Sequence, residues 1–258
     1  MTIGIVANAL RDHGLAYANE VAAWLKARGH TAVYDDDAYN CDFLVVLGGD
    51  GTMLRAAKQA AICGTPMLGI NLGNLGYLTD VDRDEGFIAI EKMIKGQFRR
   101  EQRMLLIAHG ELALNEIFVR GRGESAGLVS YRICAAGGHM DTLRADGIIV
   151  ATPTGSTAYS LSAGGPILKP DSKMIVVTAV CPHTLYARPW VLSGDDQVSI
   201  SPQNDEARVF LDGDHKFTVK QGETVTVSRS QHIATVLKTS NMDFFEVLRK
   251  KMGSKNES

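Results

Sequence analysis

From residue 3 to residue 70 the apolar positions of the chain fall into two alternating rhythms. Continuous runs at 3–7, 31–34, 43–47 and 66–70 are short and mostly bounded by glycine or polar residues, which predicts buried strands. Between them Leu15, Ala18, Ala22 and Leu25 recur at helical spacing and stop at Gly29. Met53, Leu54, Ala56, Ala57 and Ala60 lay out a second helix over 53–62. Strand alternating with amphipathic helix predicts a parallel sheet covered by helices on both faces. A ligand site in such a sheet belongs at the carboxyl ends of its strands.

The rhythm changes after Arg103. Short β-rich pieces follow at 104–108, 117–120, 128–134, 147–152, 174–179, 197–200, 208–211, 224–227 and 233–237, most of them separated by turn residues. This pattern predicts an all-β second domain, a β-sandwich, with 157–163 its only helical piece. Residues 242–251 carry Phe244, Phe245, Val247 and Leu248 and predict a closing helix, and residues 253–258 read as a frayed end. The expected division is 1–100 for the α/β domain, completed by 240–258, and 101–239 for the β-rich domain.

Composition narrows the function classes. The 258 residues are 45% hydrophobic, with a net charge of −2 and a pI near 6.4, which gives no electrostatic case for nucleic acid or an anionic membrane. The densest basic cluster, Arg249-Lys250-Lys251, reads as a solvated helix end, and Asp35-Asp36-Asp37 as a solvated loop with metal binding as the alternative. Cys41, Cys63, Cys134 and Cys181 stand far apart, which favours reduced thiols over disulfides or zinc. The apolar start lacks a basic leader and no stretch approaches a membrane span, so the expected location is cytoplasmic.

The sharpest chemical signal is Gly48-Gly49-Asp50-Gly51-Thr52, placed between the strand at 43–47 and the helix at 53–62. Bare backbone N–H groups at a strand's carboxyl end and a helix start suit phosphate groups. A carboxylate inside such a cradle repels the ligand unless it takes a proton or holds a metal ion. The loop therefore suggests phosphoryl transfer to a hydroxyl, an ordinary turn being the alternative. No Gly-x-x-x-x-Gly-Lys-Ser/Thr occurs, so it is not a Walker A loop.

Further along, the stretch from Asp146-Gly147 through Thr152-Pro153-Thr154-Gly155-Ser156-Thr157-Ala158-Tyr159-Ser160 to Gly164-Gly165-Pro166 is dense in glycine and hydroxyls. Together with the acidic loop, Asn115-Glu116 and the Gly69–Thr79 segment, it closely resembles the NAD kinase family over most of the chain. The resemblance implies a Rossmann or 6-phosphofructokinase-like first domain and a closing helix that returns to it. It implies transfer of a phosphoryl group from ATP, or polyphosphate, to the 2′-hydroxyl of the adenosine ribose of NAD. Asp50 would be the general base, Gly48, Gly49, Gly51 and Thr52 the phosphate cradle, and Mg²⁺ the charge-neutralising cofactor. Asn115 and Glu116 would hold ribose hydroxyls, with Asp146 on the nicotinamide portion and Arg144 meeting a phosphate or standing as a surface charge. Thr154, Ser156, Thr157, Ala158, Tyr159, Ser160, Leu161 and Ser162 would wall the adenine and ribose. Asp50, Gly51, Arg55 and Asp214 complete the implied NAD contacts, although the family often has Gln where this chain has Asp214. It also implies a homo-oligomer, and the apolar strands of the second domain, such as 174–179, with Pro189-Trp190-Val191-Leu192, predict a homodimer or homotetramer built mainly through that domain.

Two other readings compete. A lipid or diacylglycerol kinase shares the acidic loop but predicts an apolar cleft and basic membrane-facing residues, neither evident here. A catalytically idle NAD(P)-binding sensor has no need of Asp50. A dehydrogenase fails for want of Gly-x-Gly-x-x-Gly after a strand, and a serine hydrolase for want of Gly-x-Ser-x-Gly.

Overall fold

The computed structural model describes residues 1–258 apart from 11, 13–14, 74–75, 123–127, 185 and 254–258. Most of the predicted frayed end, the side chains of Asp35 and Asp36, and Asn74-Leu75 of the glycine-rich segment lie outside the described residues. The chain divides into two units, Met1–Gln102 with His232–Ser258, and Arg103–Gln231. No helix among the described residues is long and apolar enough to cross a membrane.

In the first unit β1 (Thr2–Ala7), α1 (Ala16–Lys26), β2 (Thr31–Val33), β3 (Phe43–Gly48), α2 (Asp50–Cys63), β4 (Met67–Asn71), β5 (Val81–Asp82) and α3 (Gly86–Ile94) follow one another. The strands pair in parallel in the order β2-β1-β3-β4, with β5 also on β4. The order reverses direction between β1 and β3, which opens a crevice at their carboxyl ends. Ile3, Ile5, Val45, Leu47, Leu68 and Ile70 fill the core beneath Tyr17, Ala18, Val21 and Leu25 of α1. The small face of α2 (Ala56, Ala57, Ala60) is buried, and Gly69 of β4 leaves space that Met53 fills.

The second unit begins within β6 (Arg99–Ala108) and continues through β7 (Glu111–Ala113), β8 (Glu116–Gly121), β9 (Val129–Ala135), β10 (Gly138–Ala145), β11 (Gly147–Ala151), α4 (Tyr159–Ser162), β12 (Met174–Val180), β13 (Trp190–Ser193), β14 (Val198–Pro202), β15 (Ala207–Leu211), β16 (Asp214–Val219) and β17 (Val225–Lys238). The tail helix is α5 (Phe244–Gly253). An antiparallel sheet of order β13-β12-β11-β8-β15-β16 faces a second sheet, β10-β9-β14-β17. Alternate residues meet between them: Ile117, Val119, Ile148 and Val150 from one, Tyr131, Ile133, Val198 and Val227 from the other. The central strands of the six-stranded sheet are buried on their outer face too, where Phe118, Ile149, Ala151 and Val176 form a second cluster with Ala163 and Leu168.

The boundary between the units falls at 231/232 rather than at 240. The sequence reading breaks β17 at Ser228-Arg229-Ser230-Gln231, whose polar residues look like a turn. They instead lie on one unbroken 14-residue strand, paired antiparallel with β14 near Val227 and parallel with β4 at Val236. Residues 233–237 therefore belong to the first unit.

Candidate active site

Asp50 opens α2 directly after β3, with Gly49 in extended conformation as the cap. The strand ends around it are tied together: Asn8 N–H donates to Leu47 O at 3.0 Å and Leu72 N–H to Gly48 O at 3.1 Å. The Asp50 carboxylate accepts the backbone N–H groups of Tyr77 at 2.8 Å and Leu78 at 2.9 Å. Gly76 lies so close that a Cβ there would overlap Oδ1 of Asp50. Lys251 of α5 brings its ammonium to 3.5 Å from Oδ2 and 4.4 Å over the Tyr77 ring. The sequence reading of Lys251 as part of a solvated helix end is thus corrected: its side chain is 29% exposed and paired.

The cradle glycines divide by role. Gly48 is a glycine because Thr52, itself buried, packs where its Cβ would stand. Gly51 faces open space, with Arg55, exposed on the same helix, at its edge. Gly51 and the first N–H groups of α2 are therefore the part of the loop a phosphate can approach.

In the second unit Asn115 and Glu116 enter β8 at a point fixed by Asp212, which the sequence reading did not pick out. The Asp212 carboxylate accepts the N–H groups of Leu114, Asn115 and Glu116 at 2.9, 2.7 and 3.1 Å. Asp212 and Gly213, with φ of 51° and 89°, make the tight turn between β15 and β16, so Asp214 stands just past it, exposed. Glu116 is 8% exposed, and its Oε2 has no hydrogen-bond partner among the described residues. Burial, with the Asp212 carboxylate adding to it, pushes the Glu116 acid up to about 7, against a smaller opposing pull from the Tyr159 backbone. A buried carboxylate oxygen without a donor is costly unless a ligand supplies one.

The hydroxyl block folds back on this pair. Thr152 donates to Leu114 O at 2.6 Å and accepts the Gly155 N–H, while Gly155 has no room for a Cβ against the Asn115 backbone. Ser156 donates to Pro153 O, Thr157 to Thr154 O, and Ser160 pairs with Thr178 inside the core. Each of these three hydroxyls already has a partner within the protein, which ties the loop together. The predicted helix over 157–163 shrinks to the four residues of α4, because Ala158 leaves helical geometry. Thr154 keeps a buried hydroxyl with no partner among the described residues, Thr157, Ala158 and Leu161 are half-buried, and Tyr159 and Ser162 are exposed.

Tyr159 stands edge-on to Phe118 at 5.2 Å and borders a cavity of about 280 Å³ together with Asp146, Arg120 and Asp205. Asp146 is exposed there, and Gly147 beside it is a glycine because the Phe118 ring occupies its Cβ position. Arg144 is exposed on β10. Arg120 and Asp205 were not legible as site residues, since nothing local distinguishes them from strand and turn charges. Among the described residues no group of three His, Cys, Asp or Glu side chains could hold a metal ion.

The profile of the ATP-NAD kinase N-terminal domain matches residues 36–98, and that of the ATP-NAD kinase C-terminal domain matches residues 114–239. The chain belongs to the ATP-NAD kinase family. It is 40% identical to the NAD kinase of Caldanaerobacter subterraneus over 96% of this chain and 92% of that one. Among solved structures it is similar to an Archaeoglobus fulgidus NAD kinase in complex with ATP, with a TM-score of 0.83, 27% identity and coverage of 98% and 99%. It is also similar to yeast NADH kinase complexed with NADH, with a TM-score of 0.81, 26% identity and coverage of 100% and 89%. Within an ATP-NAD kinase, the segments described above are the Asp50 loop of the N-terminal domain and the Asn115-Glu116 and 146–166 segments of the C-terminal one.

Proposed function

We propose that this chain phosphorylates the 2′-hydroxyl of the adenosine ribose of NAD, with ATP as the donor, to give NADP. The family supports the reaction, and the two structural relatives carry ATP in one case and NADH in the other. The observation that carries the acceptor assignment is Glu116, a buried carboxylate with one oxygen lacking a donor among the described residues. A vicinal diol supplies two hydroxyl donors, which is what such an oxygen pair takes. Asn115, half-buried beside it, adds a donor and an acceptor. We assign Tyr159, Asp146 and Thr154 to the remainder of the dinucleotide, and Arg144, Arg55 and Asp214 to its exposed rim.

Asp50 is the proton acceptor in this reading. Its carboxylate offers about four acceptor positions, of which Tyr77 and Leu78 take two and the Lys251 ammonium lies against a third, so one is left for a hydroxyl. The ribose oxygen forms the new bond to phosphorus, the bond to the bridging oxygen breaks, ADP leaves, and the hydroxyl proton passes to the carboxylate. Base help of this kind contributes about 10² to 10⁴ in rate. A divalent cation, Mg²⁺ in our reading, would ride on the donor phosphates. The described residues do not form a protein cage for it.

One observation favours a second reading of the base. Glu116 titrates near neutrality, where a general base works best. In that version Glu116 takes the proton and Asp50 only holds the 77–78 backbone. The deciding experiment is purified protein with Mg²⁺, ATP and NAD, read out by an NADP-specific dehydrogenase, with polyphosphate as a second donor. Asp50→Asn and Glu116→Gln are run in parallel: the variant whose kcat collapses while its nucleotide affinities hold names the base, and no NADP from the parent protein ends the proposal.

We further propose a homodimer or homotetramer formed through the second unit, in the cytoplasm. The edge strand β13 leaves Val191 exposed, with Met174 and Tyr186 exposed nearby in sequence, while Trp190 turns into the core. The four free thiols suit a reducing compartment.

A further inference from the structure

We propose that Lys251 brings a further cation to the donor-phosphate loop, which has no lysine of its own: its ammonium rests on Asp50 and passes to the terminal phosphate of ATP when the donor binds. The inference rests on the phosphotransferase reading above. No lysine follows the glycines of residues 48–52, yet charge on the transferring group and its leaving oxygen needs a cation. Lys251 comes from the far end of the chain to within 3.5 Å of Asp50 Oδ2.

The contact has the character of a resting place. At 3.5 Å it is longer than the two N–H bonds to the same carboxylate, at 2.8 and 2.9 Å. The ammonium is shared with the Tyr77 ring and sits on a flexible four-carbon stem. A terminal phosphate carries more charge than one carboxylate and takes the ammonium from it. With the ammonium moved, the Oδ2 lone pair it covered is open to the hydroxyl proton. Donor binding thereby readies the acceptor of the proton.

Helix α5 is rooted to deliver this side chain. The Asp80 carboxylate accepts the N–H and hydroxyl of Thr239 at 2.6 and 2.7 Å and the hydroxyl of Ser240 at 2.9 Å. Lys238 donates to Thr79 O at 2.8 Å. Residues 77–80 thus grip Asp50 on one side and the strand leading to α5 on the other. The frame closes on itself from Asp50 through 77–80, 238–240 and α5 back to Lys251.

The test is calorimetric titration of ATP without NAD, together with steady-state kinetics, on Lys251→Met, Lys251→Arg and, as a control, Lys250→Met, an exposed neighbour on the same helix. Lys251→Met is expected to weaken ATP binding by at least about tenfold, the scale of one hydrogen bond to a charged group. Its NAD affinity should stay within about twofold. Lys251→Arg should recover most of the ATP affinity, and Lys250→Met should match the parent. Unchanged ATP binding in Lys251→Met overturns the proposal, as does a loss that arginine fails to restore or that Lys250→Met shares. A parent protein that binds ATP but makes no NADP sinks the phosphotransferase reading itself, while the titration still decides Lys251.

Discussion

Gly76 and Asp50 are fitted to each other through a missing methyl group: a Cβ on Gly76 would overlap Oδ1 of Asp50. The next two backbone N–H groups, of Tyr77 and Leu78, close on the same carboxylate. A side chain at 76 therefore has to push the carboxylate off its donors.

Gly76→Ala should lower kcat at least about tenfold, since a displacement of about 1 Å in a reacting group costs up to about 10² in rate. Thermal unfolding should move little by comparison. Turnover near the parent value would mean that Asp50 need not sit where it does.

Asp50→Asn should lower kcat by about two decades or more if Asp50 is the base. It also carries a structural cost that the sequence did not suggest. Tyr77 and Leu78 donate to different oxygens of the carboxylate, and the amide puts an NH2 in place of one of them, so one N–H loses its acceptor and about 1–2 kcal/mol of stability should be lost. Denaturant unfolding beside initial rates separates the two effects.

Glu116 makes stability and binding depend on pH in opposite directions. Its acid is raised from an ordinary 4.5 to about 7 in the folded chain, so the folded state holds the proton more tightly than the unfolded one. Stability without nucleotide is then greatest below pH 4.5 as far as this group is concerned, and falls as pH rises through 7, by roughly 3 kcal/mol. Glu116→Gln should flatten that fall between pH 5 and 8 when chemical unfolding is followed. Ribose hydroxyls favour the ionised form, so NAD affinity should rise with pH over about 6 to 8 and lose that dependence in the glutamine variant. A parent protein whose NAD affinity is flat across the range would remove Glu116 from the acceptor site.

Asp212→Ala strips the acceptor from three successive N–H groups. The expected loss is about 3 kcal/mol, with weaker NAD binding and unchanged ATP binding. Equal weakening of both nucleotides would mark a global rather than a local effect.

Light scattering at micromolar concentration tests the assembly. A mass of two or four times 27.9 kDa is expected. A fully active monomer would leave the exposed Val191 and Tyr186 unexplained by self-association.

Patterns that repeat along the chain were legible in the sequence by itself. Strands β1, β3 and β4 announce themselves because burial on both faces makes nearly every residue apolar, and Gly48–Thr52 marks its own turn. Asn115, Glu116 and Asp146 were found through motif resemblance, not periodicity. Strands such as β10 and β16 were missed, because one face of each is solvated and their polar residues resemble turns. What only the tertiary structure decided is which polar groups are already spent. Ser156 and Ser160 have backbone and core partners, whereas Glu116 Oε2 and the Thr154 hydroxyl have none among the described residues. Lys251 stands 201 residues from Asp50 and meets it only through the Asp80 clamp and the return of the chain in β17. A charge on a helix end reads as solvated until the fold supplies its partner, because a local sequence carries propensity and pattern but not the pairing of distant groups.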